Sequence, residues 1–177
     1  MDFTFLQKLQ KKGTFAHQKY QSIAAFAPSG FKRISAESPT LAQAVRVSFY
    51  PNSVNPFEPA RDKNGKELMG MLYDPSVNAT LDQVLWLKDQ LGRAFILIEG
   101  HADSSMKSRI PDQAVRKLSL SRAEAIQRAL MQKFKPDSNR IRFDIKGRGW
   151  DVPADSNNPD NQMLNRRVEI SVFPLED

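Results

Sequence analysis

The chain has 177 residues, 40% of them apolar, with a formal net charge of +6 and no cysteine. That length and composition suit one globular module with some appended chain. They exclude disulfides, thiol catalysis and thiolate metal sites, and no run of about 18 apolar residues offers a bilayer span.

The positive charge is unevenly placed. Residues 1–40 hold six Lys/Arg against two acids, so the remaining chain carries little of the excess. A phosphate-binding face needs basic residues clustered in the folded part, with aromatics interleaved for stacking on single strands, and neither is visible. Nucleic acid is therefore not an expected partner.

Residues 1–40 read as an N-terminal extension or linker. A short amphipathic helix (Phe3, Phe5, Leu6, Leu9) ends near Gly13, and a stretch with Pro28, Gly30 and Pro39 follows. The start lacks an apolar h-region and a small-residue cleavage site, so the chain reads as a mature or excised piece, or a cytosolic protein. Residues 41–177 form the expected folded domain.

Its first strand is VRVSFY, in which Val45, Val47 and Phe49 alternate with Arg46, Ser48 and Tyr50. Residues 51–78, rich in Pro, Asn, Gly and Asp, predict a long, mostly irregular connection. Within it DKNGKE has the opening of a calcium loop without the later ligands, and Asn-Gly favours a surface turn. Thr80 with Gln83 gives a capping-box signature for a helix over 80–91, with Leu81, Val84, Leu85, Leu87 and Leu91 on the buried stripe and Gly92 ending it.

AFILIEG is apolar on both faces, as a central strand would be. A second helix is expected over about 119–134, its core side marked by Ala123, Ile126, Leu130 and Phe134. RIRFDIKG and RRVEISVF then alternate as strands, through Ile141, Phe143 and Ile145 and through Val168, Ile170 and Val172. The predicted fold is an α/β sandwich with two helices covering one sheet.

The chemistry gathers at element ends. In LSLSRAEA either Ser119 or Ser121 can cap the second helix, and either choice puts Arg122 in its first turn, where a cation opposes the helix dipole. One compensation is an anion site made of free backbone N–H groups and a guanidinium; the alternative is an arginine pointing to solvent. Asp103 favours the first reading. The C-terminal end of a strand and the start of the helix that follows it share one sheet edge, so Asp103 and Arg122 are expected neighbours. An acid that accepts an ammonium beside an arginine that grips a carboxylate makes a receptor for a zwitterion.

Other chemistries lack partners. His101 and Asp103 cannot form a metal set with only His17 remaining, so no metal or cofactor is expected. Ser104, Ser105 and Ser108 have no nucleophile elbow, and no pair of catalytic carboxylates is evident, so the chain is not read as an enzyme. KGRGWDVP fits no Walker or dinucleotide pattern, and its glycines suit a tight turn. Of Arg166 and Arg167 in NRRVEI, at least one is expected to face solvent.

GHAD, LSLSRA, GRGWDVP and NRRVEI, in that order, resemble the OmpA-like C-terminal peptidoglycan-binding domain shared by OmpA-type porins, Pal lipoproteins and MotB-type stator proteins, over about Val45 to Val172. The resemblance implies a βαβαββ fold, with two main helices on a mixed four-stranded sheet. It also implies noncovalent binding of the diaminopimelate of the peptidoglycan stem peptide, anchoring a larger envelope protein in the periplasm. Asp103 and Arg122 occupy the positions that hold the ligand; Gly100, His101, Leu118, Ser119 and Arg166, in the same motifs, complete the expected ligand-binding set. Substituting Asp103 or Arg122 with alanine is expected to abolish retention on sacculi and leave the fold intact.

The chain departs from that pattern at Ala102, where threonine is usual, and at Val115, where asparagine is usual. The 103–122 segment and the 51–78 connection are also longer than usual. A scaffold that has lost wall binding and serves as a protein-interaction or dimerisation module is the alternative. A homodimer, and fusion of residues 1–40 to a preceding solute-binding domain, are further expectations about partners.

Overall fold

The computed structural model describes residues 45–105, 107–134, 140–154, 157–158 and 161–175. The amphipathic helix expected at Phe3–Leu9, and with it the 1–40 extension, lies outside the described residues. In chain order the elements are β1 (Val45–Ser48), β2 (Pro59–Arg61), β3 (Glu67–Leu72), α1 (Val77–Leu91), β4 (Ala94–Gly100), α2 (Asp112–Lys133), β5 (Ile141–Gly147), α3 (Gln162–Asn165) and β6 (Arg167–Pro174).

Four strands make one mixed sheet in the order β1-β6-β4-β5. β4 runs parallel to β5, with α2 as the crossover between them, and antiparallel to β6, which pairs antiparallel with β1. All seven residues of β4 are buried, as its doubly apolar sequence predicts for a strand with neighbours on both edges. α1 packs on β1 and β6, and α2 on β4 and β5. Between helices and sheet lies one core, in which Ile96 and Ile98 meet Val168, Ile170, Leu81, Val84, Ile126 and Leu130. The architecture is the expected α/β sandwich.

The other face of the sheet carries Phe95 beside Phe173, ring centroids 6.0 Å apart, and a row of charges in register. Arg46, Glu169, Glu99 and Lys146 are successive cross-strand partners over β1, β6, β4 and β5. The two glutamates are buried and adjacent, a repulsive pairing. Arginines offset it: Arg148 donates to Glu99 at 2.6 Å and Arg167 to Glu169 at 2.8 Å, with Arg46 3.5 Å from Glu169.

Three local expectations are corrected. The 51–78 connection is not mostly irregular, because β2 and β3 form a separate antiparallel hairpin within it. β3, ELMGML, is exposed at every position but its last and holds Gly70 at φ 74°, so no alternation of buried and exposed residues marks it. Its turn is the expected one: the Asp62 carboxylate accepts from the Asn64 and Lys66 N–H groups, and Gly65 takes φ 81°. α1 begins at Val77, not at Thr80. The turn ahead of it is fixed by Asp74, which accepts from the N–H and hydroxyl of Ser76 at 2.9 and 2.6 Å, while Thr80 lies inside the helix.

α2 begins at Asp112, seven residues before the expected cap. Pro111 supplies the extended residue before the helix, Asp112 the first-turn acid, and Arg116 an i,i+4 contact to Asp112 at 2.6 Å. Before Ser119 only Val115 is buried, so the first turns of the helix show no apolar stripe.

Candidate functional site

The carboxyl end of β4, the middle of α2, the α3–β6 junction and the segment after β1 meet around the Arg122 guanidinium. Arg122 is 1% exposed. Its Nε donates to the Ser53 carbonyl at 2.9 Å, Nη2 to the Tyr50 carbonyl at 3.0 Å and Nη1 to the His101 carbonyl at 3.3 Å. The guanidinium also lies over the Phe49 ring, 5.4 Å from its centroid. Burial lowers its pKa to about 10; Arg166 adds to that shift, and the charges of Asp103 and Tyr73 oppose it.

Asp103 stands at the mouth, its side chain 14% exposed. Oδ1 accepts from the Ser105 N–H at 3.1 Å and from the Ser105 hydroxyl. Oδ2 faces Arg166 Nη1 at 3.7 Å. Arg166 is fixed in turn by donating to the Phe49 carbonyl at 3.2 Å and to Gln162 Oε1 at 2.8 Å. The ion-pair partner of Asp103 is thus Arg166, while Arg122, which feels the charges of both, spends its hydrogen bonds on backbone carbonyls. The cluster holds one positive charge in surplus in a place mostly closed to water, an arrangement suited to a ligand carboxylate.

The remaining expected site residues take other positions. Ser119 is fully buried; its hydroxyl donates to the Arg116 carbonyl and accepts from the Gly149 N–H, both at 2.9 Å. It therefore ties α2 to the GRGW turn. Residues 119–121 lie in the helix interior, where backbone N–H groups are used within the helix, so the expected anion site of free N–H groups there is not formed. For the same reason Arg122, ten residues past Asp112, carries no first-turn dipole penalty.

Gly100 is a packing residue, since a Cβ there would meet the Ser119 carbonyl oxygen at 1.7 Å. His101 contributes its backbone: its N–H donates to Arg167 and its carbonyl accepts from Arg122. Leu118 is half-buried on α2, one turn before Arg122. The expectation that Arg166 or Arg167 faces solvent is also corrected. Both are buried, Arg166 against Asp103 and Arg167 against Glu169 and the Val152 carbonyl.

The sequence reading missed Tyr50 and Ser53, which reach Arg122 through carbonyls and leave no side-chain signal. It also missed Ser105, whose place two residues after Asp103 is a legible local pattern of side-chain to backbone bonding. No group of three metal-ligating side chains exists among the described residues. No helix there is long and apolar enough to cross a membrane.

The OmpA family model matches residues 71–167, from β3 to the first residue of β6. Outer membrane protein Omp38 of Acinetobacter baumannii is 33% identical over 76 residues, 42% of this chain and 20% of Omp38, so the chain matches about a fifth of the length of that curated relative. Among solved structures, the peptidoglycan-associated lipoprotein of Burkholderia pseudomallei aligns at TM-score 0.49 and 21% identity, over 72% of this chain and 89% of that one. The periplasmic domain of Helicobacter pylori MotB aligns at TM-score 0.49 and 17% identity, over 84% and 90%. The family match spans more than half of the sequence and contains Asp103, Arg122 and Arg166: the chain belongs to the OmpA family.

Proposed function

We propose that this module binds peptidoglycan noncovalently by the free end of the diaminopimelate in its stem peptide, and so anchors a larger envelope protein to the wall in the periplasm. The carrying observation is the buried surplus of positive charge left by Arg122 and Arg166, of which only Arg166 is paired with Asp103. The unlinked end of diaminopimelate holds an ammonium and a carboxylate on one carbon. Asp103 accepts the ammonium and Arg122 takes the carboxylate; membership of the OmpA family supports peptidoglycan binding in general. The role is binding rather than catalysis.

Retention on purified sacculi tests this, together with titration of a diaminopimelate stem peptide against its lysine counterpart, which lacks the second carboxylate. Asp103→Asn keeps the shape and removes the charge; it should lose retention, and the lysine peptide should bind at least tenfold more weakly. Equal binding of both peptides, or full retention of Asp103→Asn, would refute the reading. The alternative of a protein-interaction or dimerisation module is favoured by one observation: β3 presents Leu68, Met69 and Met71 to solvent, Met69 completely. A chain that stays off sacculi and self-associates through that hairpin would support it.

A further inference from the structure

We infer that residues 50–56 form a strap that closes over Arg122 in the free protein and must lift for a carboxylate to enter. This rests on reading Arg122 as the anion-binding group. Three of the five guanidinium N–H groups already donate to carbonyls, two of them the strap's own at Tyr50 and Ser53. The side chain is 1% exposed, so the two N–H groups that remain are shut away from any ligand of peptide size.

Local turn bonds shape the strap, and Tyr50 ties it to the β2–β3 hairpin. Phe49 is buried at one end, and Phe57 packs against the core at the other. Between them Ser53 N–H donates to the Tyr50 carbonyl, Asn55 N–H to the Ser53 hydroxyl and Phe57 N–H to the Asn55 side chain, while the Tyr50 hydroxyl accepts from the Arg61 N–H at 2.9 Å and its ring stacks on Tyr73, centroids 3.9 Å apart. The Ser53 hydroxyl also donates to Glu58 at 2.6 Å. Asn52, at φ 57°, adopts the left-handed turn that asparagine tolerates.

Among the described residues, the hydrogen bonds that join the strap to α2 both come from Arg122. Beyond Ser53 the strap does not seal onto the helix. An open groove of about 260 Å³ separates Val54 and Phe57 from Ala125, Arg128, Ala129 and Gln132.

The exchange selects its ligand. A carboxylate is a stronger acceptor for a guanidinium than the two carbonyls it displaces, whereas a neutral amide is no better than they are. The strap therefore admits free carboxylates and rejects amidated ends, while in the empty protein it satisfies a buried cation.

The chain has no cysteine, so Val54→Cys with Arg128→Cys, across the groove, gives the only two thiols. A short reversible thiol crosslinker would clamp the strap down in the full chain. Two readouts are taken, the phenylglyoxal modification rate at Arg122, by peptide mass spectrometry, and the affinity for the diaminopimelate stem peptide. Clamping should slow modification and weaken binding at least tenfold, with reduction restoring both; Glu58→Ala, which frees the Ser53 hydroxyl, should speed modification.

Modification and binding unchanged by the clamp would overturn the inference. Modification gated by the clamp, with no peptide bound in either state, would uphold the strap and refute the proposed ligand instead.

Discussion

Gly100 and Ser119 touch backbone to backbone: a Cβ on Gly100 would lie 1.7 Å from the Ser119 carbonyl oxygen. Gly147, the cross-strand partner of Gly100, approaches Arg116 in the same way, its Cβ position 2.4 Å from the Arg116 carbonyl oxygen. Two glycines at the ends of β4 and β5 thus let α2 settle onto the sheet, which sets the depth at which Arg122 enters the site. Gly100→Ala should lower stability by about 3 kcal/mol or abolish folding, because backbone rather than a flexible side chain must give way. Urea denaturation reads this directly, and a wild-type midpoint would show that α2 can move outward without cost.

Ser119→Ala should destabilise by about 2 kcal/mol, since it leaves the Gly149 N–H without its acceptor inside the fold. Amide exchange at Gly149 should accelerate in the same variant. Unchanged protection there would mean that the GRGW turn does not depend on the hydroxyl.

Arg148→Met should cost about 3 kcal/mol, as it leaves buried Glu99 facing buried Glu169 without its nearest cation. Adding Glu99→Gln should recover much of the loss by removing one charge of the repulsive pair. A double-mutant cycle measures the coupling, and purely additive effects would show that Arg148 contributes packing alone.

Removing the Arg122 side chain should not leave the fold untouched, contrary to the expectation from sequence. Arg122→Ala strips three carbonyls of their donor, at His101, Tyr50 and Ser53, and should destabilise by about 3 kcal/mol. Sacculus retention is therefore better tested with Asp103→Asn, and chemical denaturation of Arg122→Ala checks the cost. A stability equal to wild type would mean that water replaces the guanidinium freely.

Alkaline pH offers a separate check on Arg122. Burial lowers its pKa from the ordinary arginine range to about 10 on folding, so above about pH 10 the unfolded chain holds the proton more firmly. The burden of a buried charge is present below about pH 10 and relieved as pH rises through it. Wild type should gain stability relative to Arg122→Met between pH 8 and pH 10.5. A gap that stays constant would show Arg122 titrating as a free arginine does.

The order of the main-sheet strands and the two main helices was legible in the sequence because it depends on local periodicity. The alternation at Val45–Phe49, the doubly apolar AFILIEG and the stripe through Ala123, Ile126 and Leu130 each follow from the repeat of a strand or helix. β3 was not legible, since a strand exposed at every position but its last shows no alternation of buried and exposed residues. The first turns of α2 were hidden for a related reason, because Val115 is the one residue buried in them and a single apolar residue makes no stripe.

At the site, sequence singled out Asp103, Arg122 and Arg166 as chemistry-bearing types in suggestive places. Only the tertiary structure gave them partners. Arg122 is met by carbonyls 69, 72 and 21 positions away, and Arg166 by one 117 positions away. Every residue carries a carbonyl, so nothing in a string of side chains says which of them will face a guanidinium. That choice is made when the helix docks on the sheet and the segment after β1 folds across both.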